Sequence, residues 1–248
     1  MGLAVVCSRR CPNGGLNLDF GTVTVIPTPH SRRAMTWTRP LFETACKAFV
    51  QHRHDWAWVE HPVLPGLGYM YRTTPLQRRS VDGDPFEPAD DPAAAMPGPD
   101  HITCHQSVVF SATFQVPTFY FSVYDSSACD FRSSPRRYIS FSAGSPIGLS
   151  EIIHTSLLRK HAFDGMDATA FSIGDLASNF PLLSFGDHPC LGSQCWYLHP
   201  CETGPAVEEV LAARLETHPR DSAEPIQWLE VWFLVLGCVV ELGERSTS

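Results

Sequence analysis

The segment Trp196-Tyr197-Leu198-His199-Pro200-Cys201-Glu202-Thr203 concentrates side chains that could do chemistry. Its thiol, Cys201, lies between Gln194–Leu198, which reads as a short strand, and a stretch from about Pro205 to Leu215 that reads as a helix. A thiol just ahead of a helix feels the unpaired N–H groups of the first turn. These favour negative charge and can bring its pKa down from about 8.5. Pro200 fixes its own φ and biases His199 toward extended geometry, so the chain enters Cys201 in a rigid shape. His199 is close enough in sequence to hydrogen-bond the thiol or to pack beside it. An exposed, mildly activated thiol on a rigid mount suits a nucleophile that forms and then surrenders a thioester.

Other readings of the same stretch stand beside this one. A lone cysteine is a frequent core residue. His188, Cys190, Cys195, His199 and Cys201 offer enough donors for zinc. None of them forms a Cys-x-x-Cys knuckle, however, and strand alternation places neighbouring donors on opposite faces. A cysteine protease would use His188 or His199 as base, but no local signature of such families surrounds Cys201. On local sequence alone the catalytic and structural readings of Cys201 both stand; the spacing gives no reason to expect a metal ion, and no cofactor is expected.

Bulk properties narrow the function classes. The 248 residues carry a formal net charge of −8, and the basic residues that group do so as isolated Arg pairs, so no nucleic-acid partner is expected. The run Leu3 to Cys7 is too short for a signal peptide, and Arg9-Arg10 follow it instead of preceding it. Without a signal, the nine cysteines read as reduced thiols in a cytoplasmic protein, and their odd number leaves at least one unpaired. Only Ile226 to Leu242 raises a membrane question. Its dense part, Val231 to Val240, falls short of the about 20 residues a spanning helix needs, so no stable membrane insertion is expected.

The elements that must position Cys201 follow from periodicity. Residues 1–38 show little pattern and read as a poorly ordered extension. Phe42, Cys46, Phe49 and Val50 make the apolar stripe of a helix, while Trp56–Trp58 and Leu67–Tyr71 read as two short strands. Residues 75–100, rich in proline and acids, and the polar residues 126–139 read as loops. Between them, His101–Phe114 and Val116–Tyr124 read as two strands around Gln115. Ser150–His161 reads as a helix. Gly204 reads as the N-cap of the helix after Cys201, with Pro205 at its first position, and Ile226–Leu242 as a buried closing element. The order gives an α+β domain over 39–243 with an antiparallel sheet and flanking helices.

The run Asp187-His188-Pro189-Cys190 through His199-Pro200-Cys201-Glu202-Thr203 resembles the autophagy E2-like conjugating enzymes, whose His-Pro-Cys motif follows an upstream His-Pro. Phe114-Gln115-Val116-Pro117-Thr118-Phe119-Tyr120-Phe121, Gly144-Ser145-Pro146-Ile147-Gly148-Leu149, Trp56-Ala57-Trp58, Gly68-Tyr69-Met70 and the closing Ile226–Leu242 are similar to further segments of that family, in the same order. The resemblance covers about 41–242 and implies an E2-like fold in which Cys201 is the thioester site. It implies an E1-like activating enzyme that supplies a ubiquitin-like modifier, and an acceptor that receives it. The Leu-His-Pro-Cys-x-Thr context is closer to the branch that conjugates a lysine of an acceptor protein without a separate E3. A lipid-conjugating enzyme of the same family, or a non-catalytic or zinc-binding interaction module, is the alternative. His199, Pro200, His188 and Asp187 are the supporting candidates. His188, His199 and the amides near Glu202 and Thr203 are candidate oxyanion donors, and Asp187 could orient the lysine. Outward-facing members of Tyr69, Tyr71, Phe119 and Phe121 are the expected acceptor contacts. Cys190 and Cys195 are expected to pack beside the active strand.

Overall fold

The computed structural model describes residues 35–61, 63–79, 102–125, 145–175, 181–201, 203–217 and 224–242. Residues 126–139 and most of 75–100, both expected to be loops, lie outside them. Helix α1 (Arg39–His52) starts where the Thr38 hydroxyl accepts from the Leu41 N–H at 3.4 Å, with Pro40 in the first turn. Its stripe Phe42, Ala45, Cys46 and Phe49 is buried. Strands β1 (Ala57–Val59), β2 (Tyr69–Leu76), β3 (Ile102–Ser111), β4 (Val116–Asp125) and β5 (Ser145–Pro146) follow. Next come helix α2 (Leu149–Ile152), a 3₁₀ turn at Lys160–Phe163, β6 (Asp167–Ala168), β7 (Ser172–Gly174), β8 (Leu183–Asp187) and β9 (Gln194–Leu198). Helices α3 (Thr203–Thr217) and α4 (Pro225–Leu236) close the chain.

All pairings are antiparallel, in the order β1-β2-β3-β4-β9-β8-β7-β6, and β5 adds to β4 beyond the end of β9. This is the α+β, E2-like architecture expected. Strand alternation sorts the side chains into two sets. Met70, Val108, Phe119, Phe121, Trp196 and Leu198 join the helices in the main core, where Phe49 stacks on Phe233 at 4.7 Å. On the opposite face Tyr69, Val109, Tyr120 and Cys195 form a small second cluster, with Tyr71, Cys190 and Tyr197 packed against it. Trp37 is 1% exposed and meets Trp228 edge-on at 4.9 Å, so the core begins just before α1.

The structure shortens two expected helices. Ser150–His161 is helical only as far as Ile152. There the Thr155 hydroxyl donates to Ile152 O and accepts from the Leu157 N–H, replacing helical hydrogen bonds, and the backbone turns to pair with the end of β2. The closing segment is helical to Leu236. Gly237 weakens the helix, the chain turns through Val239, whose N–H donates to Leu236 O at 3.0 Å, and Val240 bridges Leu158. Helix α3 begins at Thr203, so Gly204 is its second residue and not its cap. Strands β6, β7 and β8 were not expected; the first two are too short to show alternation.

Candidate active site

Strand β9 ends at Leu198, and α3 starts at Thr203, so Cys201 sits in the turn that joins sheet to helix. Three contacts set that turn. The His199 N–H donates to Leu182 O at 2.9 Å, holding it to the segment entering β8. The Thr203 hydroxyl donates to Pro200 O at 3.0 Å. The Cys201 N–H points at His199 Nδ1 at 3.4 Å. Pro200 is buried and Cys201 half-buried, on a backbone that these contacts fix.

Cys201 Sγ lies 2.7 Å from His199 Nδ1. With Nδ1 accepting from the Cys201 N–H, the neutral ring carries its hydrogen on Nε2, and Nδ1 is the atom that can take the thiol proton. A thiol and an imidazole nitrogen at this distance can exchange a proton. The His199 ring meets Phe114 at 5.1 Å and 73°, and Tyr197 at 6.4 Å. A Cβ on Gly204 would stand 3.4 Å from Val116 Cγ1, so α3 starts close against the first residue of β4.

The structure separates the remaining candidates from this pair. His188 is 3% exposed and its ring nitrogens are committed elsewhere. Nε2 lies 2.8 Å from the Ser107 hydroxyl, and Nδ1 accepts from the N–H groups of Cys190 and Leu191, both at 3.2 Å. The ring therefore pins the β8–β9 loop onto the sheet face opposite the helices, between Tyr69 and Tyr120. Burial lowers its pKa to about 4, so it is neutral near pH 7. Asp187 pairs with Gln194, at the end of the hairpin away from Leu198, and that strand spans about 13 Å. Neither residue supports Cys201 directly. Glu202 lies outside the described residues.

The expected acceptor contacts divide by strand parity. Phe119 and Phe121 are 0% and 1% exposed in the main core and cannot meet a partner; this corrects their assignment. Tyr69 is buried beside His188. Tyr71 is half-buried, its hydroxyl hydrogen-bonded to Thr73 at 2.9 Å and to His105 Nδ1, and it alone of the four has an accessible side chain. Cys190 and Cys195 pack in the second cluster, where burial raises both thiols, Cys195 to about 12. That environment suppresses the thiolate of both.

From the sequence, Phe114 figures only as the first residue of the family-like strand segment 114–121, with no role in the site. It reads as the end of a strand, but it is 41% exposed in the β3–β4 turn. The available signal was a large aromatic directly before Gln115-Val116-Pro117, where the strand pattern breaks. Among the described residues no three His, Cys, Asp or Glu side chains converge to hold a metal ion, and no helix is long and apolar enough to cross a membrane. A family model described as autophagocytosis associated protein, active-site domain, matches residues 41–247. No curated protein matches the chain.

Proposed function

The chain belongs to the autophagocytosis-associated proteins defined by that active-site domain, E2-like conjugating enzymes that work with an E1-like enzyme and a ubiquitin-like modifier, and on that premise we propose that Cys201 carries the modifier as a thioester. The observation that supports this is the 2.7 Å contact between Cys201 Sγ and His199 Nδ1 in a rigid, half-open turn. In the loading step the thiol proton passes to His199 Nδ1, and the thiolate attacks the E1-bound thioester carbonyl. The E1 cysteine leaves as a thiolate and takes up a proton. In the transfer step a neutral amine attacks the Cys201 thioester, forming an amide and releasing the Cys201 thiol.

The acceptor in this reading is a lysine of a protein, held by a surface that includes Tyr71. Positioning the amine can supply several kcal/mol of the barrier reduction, so an enzyme acting without a separate E3 needs its own docking surface. The site of action is the cytoplasm.

The test is trapping. Cys201→Ser should hold the modifier as a stable oxyester when E1-like enzyme, modifier and ATP are supplied, and Cys201→Ala should hold none. Cys190→Ala and Cys195→Ala should still load. A Cys190→Ala variant as inactive as Cys201→Ala would end the single-nucleophile assignment. Chasing the loaded wild type with acceptor protein or with phosphatidylethanolamine liposomes then reads the branch. Discharge onto liposomes alone would transfer the enzyme to lipid conjugation.

A further inference from the structure

We propose that the β3–β4 turn is a positioning element for Cys201, with Phe114 setting the orientation of the His199 ring; this rests on Cys201 being the nucleophile. The turn is built to hold that ring at the surface. The Gln115 N–H donates to Ser111 O at 2.8 Å, and the Phe114 N–H to the Ser111 hydroxyl at 3.3 Å. Gln115 takes φ 53°, the only positive φ at a non-glycine among the described residues. A side chain in the left-handed region is a cost that surrounding contacts must offset, and such strain gathers where geometry matters.

The result is Phe114, a large apolar ring 41% exposed, set edge-to-face against His199 at 5.1 Å. Edge-to-face aromatic contacts are directional, so this one restricts rotation of the imidazole. Rotation matters because only one of the two ring nitrogens faces the thiol: Nδ1 stands 2.7 Å from Cys201 Sγ. The His199 backbone is held by Leu182 O, and Phe114 adds to the contacts of Cys201 and Tyr197 in restricting the ring torsions. The same hairpin meets the other side of the turn, where Val116 abuts Gly204 at the start of α3. Hairpin, imidazole, thiol and helix thus form one contiguous set of contacts. Phe114 touches no reacting atom and acts through His199.

A double-mutant cycle on the full-length chain tests this. The readout is the rate at which iodoacetamide alkylates Cys201 at a fixed neutral pH, followed by peptide mass spectrometry so that the other cysteines do not interfere. F114A should slow the reaction about two- to tenfold, the range that one aromatic contact can supply, and F114Y should stay within about twofold of wild type. In an H199A background F114A should add nothing. Equal slowing by F114A with and without His199, or no slowing at all, overturns the proposal. If F114A fails to fold, F114L, which keeps bulk without the ring, takes its place and should slow alkylation to the same extent. The alkylation cycle needs no modifier. A wild-type enzyme that never loads at Cys201 would therefore defeat the proposed function while the positioning of His199 is still read.

Discussion

Replacing His188 by Asn should remove most of one acid-sensitive contribution to stability. The folded-state pKa of His188 is about 4, depressed by burial, against about 6.5 in the unfolded chain. Above pH 6.5 both states are neutral and the contribution is complete. As pH falls from 6.5 toward 4, the unfolded state takes up the proton and the folded state does not, so stability is lost across that window. Between pH 7.5 and 5.0 the two pKa values correspond to a loss of about 2 kcal/mol, or about 4–8 °C in Tm for a domain of this size. Asn keeps an acceptor where Nδ1 receives the Cys190 and Leu191 N–H groups, but it leaves the Ser107 hydroxyl without its partner. His188→Asn should therefore be about 1–2 kcal/mol less stable at pH 7.5 and show a smaller further loss at pH 5.0. Urea unfolding of both chains at the two pH values measures this. The difference in slope isolates His188 from His105, whose pKa burial also lowers. An unchanged slope in His188→Asn would refute the reading of His188 as a neutral loop pin.

Phe119→Ala should cost about 3–5 kcal/mol in urea unfolding, because it opens a cavity between sheet and helices. Tyr71→Ala should stay folded and load modifier, yet discharge slowly onto the acceptor in a two-step chase; normal discharge would remove Tyr71 from the docking surface. Gln115→Gly should raise stability by roughly 0.5–1 kcal/mol by relieving the left-handed residue, and a clear loss would mean that the Gln115 side chain makes a contact worth more than the strain. The purified chain should contain no stoichiometric zinc by elemental analysis, and one equivalent whose removal unfolds the protein would revive a metal role for the cysteines.

Features that depend on a short continuous stretch of chain were legible in the sequence. Helix α1 announces itself through the stripe Phe42, Cys46, Phe49 and Val50, all within a few turns of one another, whereas its Thr38 cap emerges only from the structure. Strand β9 and the junction that holds Cys201 are likewise local, because a strand end, a proline and a helix start fix the backbone through φ restriction and terminal N–H groups. Alternation also placed Phe119 with Phe121, and Tyr69 with Tyr71. It could not say which pair meets the helices, because both faces of a strand are equivalent until other elements pack. The tertiary structure made that choice and buried the phenylalanines. It also decided where α2 and α4 stop, since the backbone groups released at Thr155 and after Gly237 find partners on distant segments around Gln77 and Leu157. The histidines show the distinction most sharply. His188 and His199 each precede a proline and a cysteine, so local sequence treats them alike. Long-range packing brings Ser107 to one and Phe114 to the other, leaving His199 at the thiol and His188 in the wall of the sheet.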